Sequence, residues 1–286
     1  MQKIIQKEQG FTLSELLVTL LISTIVFAGL ISQYSLSVHE SYDQGVRIST
    51  VLQAQATLQM VGSELRMLGN GVPFDQANFQ IGESTLADPT VTEPIQVSSA
   101  AANTITFRIN ETGDVFLLMA DFDPSASLVV SLTDVSSLDP NDPIYISNSV
   151  VSGEDGLYGV IDTVDTGANT VTLKAGYIAS PAATFDMGSI LEEVPLVTYA
   201  SPAGGVTRDS GFGAVELGSG STLTLDYQDV NGVSLGIPFT NIDVVNSLRA
   251  ITVTINQQSE RKLRSGEYYY SIVSQTFGLR NLNYLY

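Results

Sequence analysis

From Phe11 to Ile31 the chain runs for 21 residues with apolar side chains all round and a single charge, Glu15. Wound as a helix, that run covers about 30 Å, the thickness of a bilayer's hydrocarbon core. Beyond Ile31 the apolar positions narrow to a stripe, with Val51, Leu58, Val61, Leu65 and Leu68 at steps of three, four or seven. This is the period of a helix with one buried face. Gly69-Asn70-Gly71-Val72-Pro73 supplies a stop signal, glycine first and proline beyond. The pattern predicts one helix over roughly residues 11–68, about 85–90 Å long. Its second half should lie on a domain. Gly29, Gly45 and Gly62 are candidate soft points, because glycine costs up to about 1 kcal/mol relative to alanine in a helix.

After Pro73 the texture changes to short alternating runs rich in Ser, Thr, Asn, Asp, Gly and Val. Strands are expected over residues 104–110, 115–121, 144–147, 159–164, 170–173, 222–228, 250–256 and 268–277. Turn signals such as Asn110-Glu111-Thr112-Gly113, Asp165-Thr166-Gly167 and Asn231-Gly232 separate them. Three turns lead into a Thr-apolar-Thr-apolar pattern, at Thr104, Thr170 and Thr222, with spacings too irregular for a repeat array. Residues 143–173 read as an inserted β-module rimmed by acidic loops. The last 40 residues read as a hairpin with Ile251, Val253 and Ile255 on one face and a basic turn over residues 257–266. The expected fold class is α+β: a long N-terminal helix on a β-rich, largely antiparallel head with a β insertion. Its expected divisions are residues 1–10, 11–31, 32–69 and 70–286.

Charge sharpens this picture. The formal net charge is −18. Residues 67–246 hold 23 acidic residues against Arg108, Lys174 and Arg208, whereas residues 247–286 hold five basic residues against Glu260 and Glu267. An acidic body has no broad basic face for nucleic acid, and none is expected as a partner. With no cysteine, the exported domain must rely on packing alone. Lys3 and Lys7 ahead of the apolar run place the N-terminus in the cytoplasm and the head outside. Three readings of that run follow: a permanent anchor, a secretory signal cut after Ala28, or a signal cut ahead of the apolar segment so that the segment is kept. Glu15 argues against the second. A carboxylate at that depth costs several kcal/mol in lipid unless something pairs with it.

Gly10-Phe11-Thr12-Leu13-Ser14-Glu15-Leu16-Leu17 resembles the prepilin processing motif of type IV pilins and type II secretion pseudopilins. The resemblance implies cleavage between Gly10 and Phe11 by a prepilin peptidase, and N-methylation of the new Phe11 amine. It also implies pairing of Glu15 with the Phe11 amine of a neighbouring subunit. Two charges buried in lipid become tolerable together, which favours one register in a growing fibre. The C-terminal strand from Arg249 and the ending Gly278-Leu279-Arg280-Asn281 resemble the close of large minor pilins of the PilW type and of the J-type pseudopilin. The resemblance implies a minor pilin in the inner membrane with its head in the periplasm, then at the pilus or cell surface. Its partners would be other pilins, in a priming or tip complex that meets an adhesin. The alternatives are a type II secretion pseudopilin and an exported β-domain binding protein on an uncleaved anchor.

No catalytic constellation is legible, so no enzyme is expected. His39 is the only histidine and falls at headgroup level or in solvent. One histidine and no cysteine give poor support to a transition-metal site. The acidic pairs Asp121/Asp123, Asp139/Asp142, Glu154/Asp155, Asp162/Asp165 and Glu192/Glu193 read as solvated turns, with a structural Ca²⁺ as the lesser option and no other cofactor. In Tyr268-Tyr269-Tyr270, strand alternation puts Tyr268 and Tyr270 on one face and Tyr269 on the other; an exposed face for subunit contacts is the alternative.

Overall fold

The structure is a computed structural model that describes residues 12–68, 95–96, 102–147, 157–175, 184–211, 213–237 and 247–279. Helix α1, Leu13–Arg66, runs unbroken for 54 residues, about 81 Å. Glycines 29, 45 and 62 do not interrupt it. From Leu13 to Val38 every side chain is exposed. Full exposure ends at His39, and partial or complete burial recurs at Asp43, Val46, Thr50, Ala54, Leu58, Val61, Leu65 and Leu68, at steps of three or four. The stripe read from the sequence is therefore the buried one, although Val51 lies only at its half-buried border.

The strands form three antiparallel sheets. In chain order they are β1 (Ile95–Gln96), β2 (Thr104–Arg108), β3 (Phe116–Leu117), β4 (Val129–Ser131), β5 (Pro143–Ser147), β6 (Leu157–Asp165) and β7 (Thr170–Leu173). These are followed by β8 (Ile190–Glu193), β9 (Leu196–Ala200), β10 (Gly205–Asp209), β11 (Val215–Ser219), β12 (Ser221–Gln228), β13 (Ala250–Lys262) and β14 (Tyr268–Gly278). The first sheet has the order β1-β2-β9-β10-β11, the second β12-β13-β14, and the third β3-β8-β5-β6-β7-β4. The second half of α1 packs on β13 and β14. Odd-numbered residues of β12 and β13 face inward, so Leu223, Leu225, Ile251, Val253 and Ile255 join Leu58, Val61 and Leu65 in one core, shared with Ile105, Phe107 and Val197 of the first sheet.

The third sheet has a separate core of Phe116, Leu132, Ile146, Ile161, Phe185 and Leu191, among others. Its strands span residues 116–193, wider than the expected 143–173. β2 and β9 pair directly, Thr104 with Ala200 through Arg108 with Leu196, so the whole third sheet is an excursion between two neighbouring strands. Arg108 at this neck is fully buried and donates from Nη1 to Val194 O at 3.2 Å. Arg208 of β10 ties the neck to the helix. Its guanidinium bonds Glu64 of α1 at 3.0 Å and Glu111 at 2.6 Å.

Strand β13 runs six residues past the expected Asn256. There the inward positions turn polar, and Gln257 and Ser259 are buried with their own partners. Gln257 Nε2 donates to Ser219 O at 2.6 Å, and Ser259 Oγ accepts from Tyr269 N at 3.0 Å. Hydrophobic alternation cannot signal such positions. β1, β4, β8, β9, β10 and β11 lie outside the expected strands; all are short, and β8, β9 and β10 lie near Pro195, Pro202 or Gly204.

Gly62 is a place of close approach. A Cβ there would lie within the ring of Phe277, and Arg66 sits over the same ring, 5.1 Å from its centroid. Gly45 has open space instead. Gly62→Ala should therefore destabilise the head by about 1–2 kcal/mol, the cost of overpacking less the gain in helix propensity. Gly45→Ala should leave stability unchanged or raised by up to about 1 kcal/mol. Thermal unfolding of the full chain in detergent, followed by near-UV circular dichroism, gives the two signs.

Candidate assembly site at the helix start

The described chain opens on Thr12, which caps α1 in an extended conformation, φ −76° and ψ 151°. Its hydroxyl accepts from the Glu15 amide at 3.3 Å. Glu15 reaches back, and its Oε2 accepts from Thr12 N at 3.0 Å and from Thr12 Oγ1 at 2.9 Å. This is a reciprocal capping box, which satisfies two amides that a helix start leaves open and places a negative charge at the positive end of the helix dipole. The Thr12-Leu13-Ser14-Glu15 spacing carries this signal in the sequence, and a reading centred on the lone carboxylate passes over Thr12. Gly10 and Phe11, the expected cleavage and methylation positions, lie outside the described residues.

Behind this cap, Thr19 and Thr24 turn their hydroxyls onto their own helix, to Glu15 O at 2.5 Å and Leu21 O at 2.8 Å. The hydroxyls of Thr19 and Thr24 are thus satisfied within the helix, as a lipid-exposed segment requires. α1 is the one helix among the described residues long and apolar enough to cross a membrane, and its apolar half is wholly exposed.

Of the acidic pairs, Asp123, Asp142 and Asp165 serve turns, whereas Asp162 lies on β6 and Glu192 and Glu193 lie on β8 rather than in solvated turns. Asp123 Oδ1 accepts from the amide and hydroxyl of Ser125, Asp142 Oδ2 from Asp139 N, and Asp165 Oδ1 from Gly167 N and Ala168 N. Glu192 accepts from Asn110 Nδ2 at 2.9 Å. Glu154 and Asp155 lie outside the described residues. Among the described residues no group of three or more histidine, cysteine, aspartate or glutamate side chains could hold a metal ion. Tyr268 and Tyr270 face solvent while Tyr269 turns to the helix, where the Arg47 guanidinium lies 5.5 Å from its ring centroid.

Residues 5–31 match the family described as the prokaryotic N-terminal methylation motif. The match supports a type IV pilin or pseudopilin subunit, a structural component. It implies processing by prepilin peptidase and assembly with other pilins. No curated protein and no solved structure matches the chain.

Glu193, on β8, is the most perturbed carboxylate among the described residues of the head. Burial first, then the negative charges of Asp142, Glu111, Asp114 and Asp139, push its pKa up to about 7. A carboxyl raised in the folded state favours folding only while protonated, so stability is lost as pH climbs from the unfolded value, about 4.3, through about 7. Glu193→Gln should therefore match the parent at pH about 4 and exceed it in melting temperature at pH about 8. Melting curves at the two pH values measure this difference.

Proposed function

We propose that the protein is a large minor pilin of the PilW type, acting in a priming or tip complex of a type IV pilus-like filament. One observation carries this reading: an unbroken helix exposes every side chain from Leu13 to Val38, with a carboxylate held at its first turn. An exposed apolar rod of that length needs lipid or a bundle of like helices around it. The inner membrane supplies the first and a filament core the second. Cleavage between Gly10 and Phe11 would free an amine one residue from the Thr12 cap. Both Thr12 bonds converge on Glu15 Oε2, so Oε1 is the oxygen that an incoming subunit's Phe11 amine would meet. The head's size and its separate third sheet suit a subunit that ends or begins a fibre.

Mass spectrometry of the membrane and fibre fractions should find a mature chain that begins at N-methylated Phe11. An intact leader would return the head to the anchored binding proteins, and a mature chain confined to a secretion complex would make it a pseudopilin. Glu15→Ala should lower incorporation into the fibre at least about tenfold, as expected when one partner of a buried ion pair is removed. The melting temperature of the head should not change. Quantitative immunoblots of sheared fibres read the first effect, and normal incorporation of the variant would sink the pairing.

A further inference from the structure

The end of the head nearest the apolar half of α1 is built unlike the rest. There the β13–β14 hairpin turns, closed by Leu263 N donating to Glu267 O at 2.8 Å and by Gly266 at φ 87°. The tip is docked on α1: Tyr42 Oη donates to Lys262 O at 3.4 Å, and Arg264 N to Asp43 Oδ1 at 3.0 Å. Arg261, Lys262 and Arg264 are all exposed. Three cations thus stand within four residues, whereas the 180 residues from 67 to 246 contain three basic residues in all. Of the nearby acids, Asp43 is engaged with the Arg264 amide and Glu260 accepts from Gln53 farther up the helix. Glu40 and Glu267 flank the tip.

Depth decides what this tip meets. From Leu16 to Val38 no residue is charged, a stretch of 23 residues. As a helix it measures about 34 Å, slightly more than the hydrocarbon core. Tyr42 and Asp43 follow Val38 by four and five residues, about 6–8 Å along the axis. A polar headgroup layer is about 5–7 Å deep on each side of the core. The docked tip therefore stands at headgroup level, within a Debye length of any charge on the bilayer. Aromatic side chains gather at the same level. Tyr42 on the helix and Tyr268 and Tyr270 on β14 are exposed, the kind of belt tyrosine forms at a membrane interface. At the other end of the same sheet face stand Thr252, Thr254 and Thr276 instead.

We infer that the β13–β14 tip, through Arg261, Lys262 and Arg264, is a contact for the phosphates of anionic phospholipids and fixes the tilt of the head on the membrane before assembly. The inference rests on the reading that α1 spans the membrane. Because the chain has no cysteine, single thiols can report on each part. Ser265→Cys and Ser37→Cys, each labelled with an environment-sensitive fluorophore, would be placed in vesicles of the full chain containing headgroup spin-labelled lipid. One set would be neutral phosphatidylcholine, the other about one-third phosphatidylglycerol.

The Ser37 label should be quenched equally in both, which reports the span alone. The Ser265 label should be quenched at least about threefold more strongly with the anionic lipid. That excess should vanish at about 1 M salt and in a chain carrying R261Q, K262Q and R264Q. Loss of quenching at Ser37 would overturn the spanning reading. Quenching at Ser37 with none at Ser265, or with quenching at Ser265 independent of lipid charge, would overturn the tip's role while leaving the span intact. A Ser265 signal that follows protein concentration rather than lipid charge would assign the tip to a second copy's acidic head and equally overturn it.

Discussion

One helix has to satisfy two solvents, and the rest of the molecule follows from how it does so. For its first half α1 is exposed on every side among the described residues, and the hydroxyls of Thr19 and Thr24 are folded back on the helix. For its second half a single stripe takes over, and everything on that stripe meets β13, β14 and the core behind them. The change occurs near His39, the first residue of α1 that is not fully exposed. Because the helix is continuous across that point, an orientation imposed on one half is transmitted to the other. No hinge residue interrupts it, and at Gly62 the absence of a side chain lets Phe277 close against the rod.

The helix was legible because its two signals, all-round apolarity and then a 3.6-residue stripe, depend only on neighbours along the chain. The long strand β12 was legible for the same reason, since its alternation is clean over eight residues, whereas β14 showed through its aromatic and β-branched content, with Ser271 turned inward and Ile272 outward. The end of β13 was not. Gln257 and Ser259 are buried by virtue of particular partners, Ser219 and Tyr269, that no local pattern announces. Strands such as β8 and β9 escaped because four or five residues between prolines carry too little alternation to rise above loop texture. The assembly site was half legible. The lone Glu15 stood out by its cost, and Thr12, which holds it, went unread because threonine at a helix start is ordinary.

The acidic residues show how the same side chain serves two ends. Asp123, Asp142 and Asp165 accept from nearby amides and so build turns, which explains how so many carboxylates fit on one head. Glu193 is the exception, crowded by its own kind and partly withdrawn from water. The basic side chains are fewer and more specialised. Arg208 spans helix and neck, and Arg108 is wholly interior.

The neck formed by β2 and β9 has a consequence for how such a protein can change over time. The third sheet, with strands between residues 116 and 193, leaves and re-enters the head between two strands already paired to each other, and it carries an independent core. Its interior can be rewritten, lengthened or exchanged without asking anything new of the rod or the sheet beneath it. The molecule is thus organised like a handle with a replaceable tool. Lineages sharing the handle would be free to diverge in what they present at the outer end, while the part that must fit its neighbours stays under constraint.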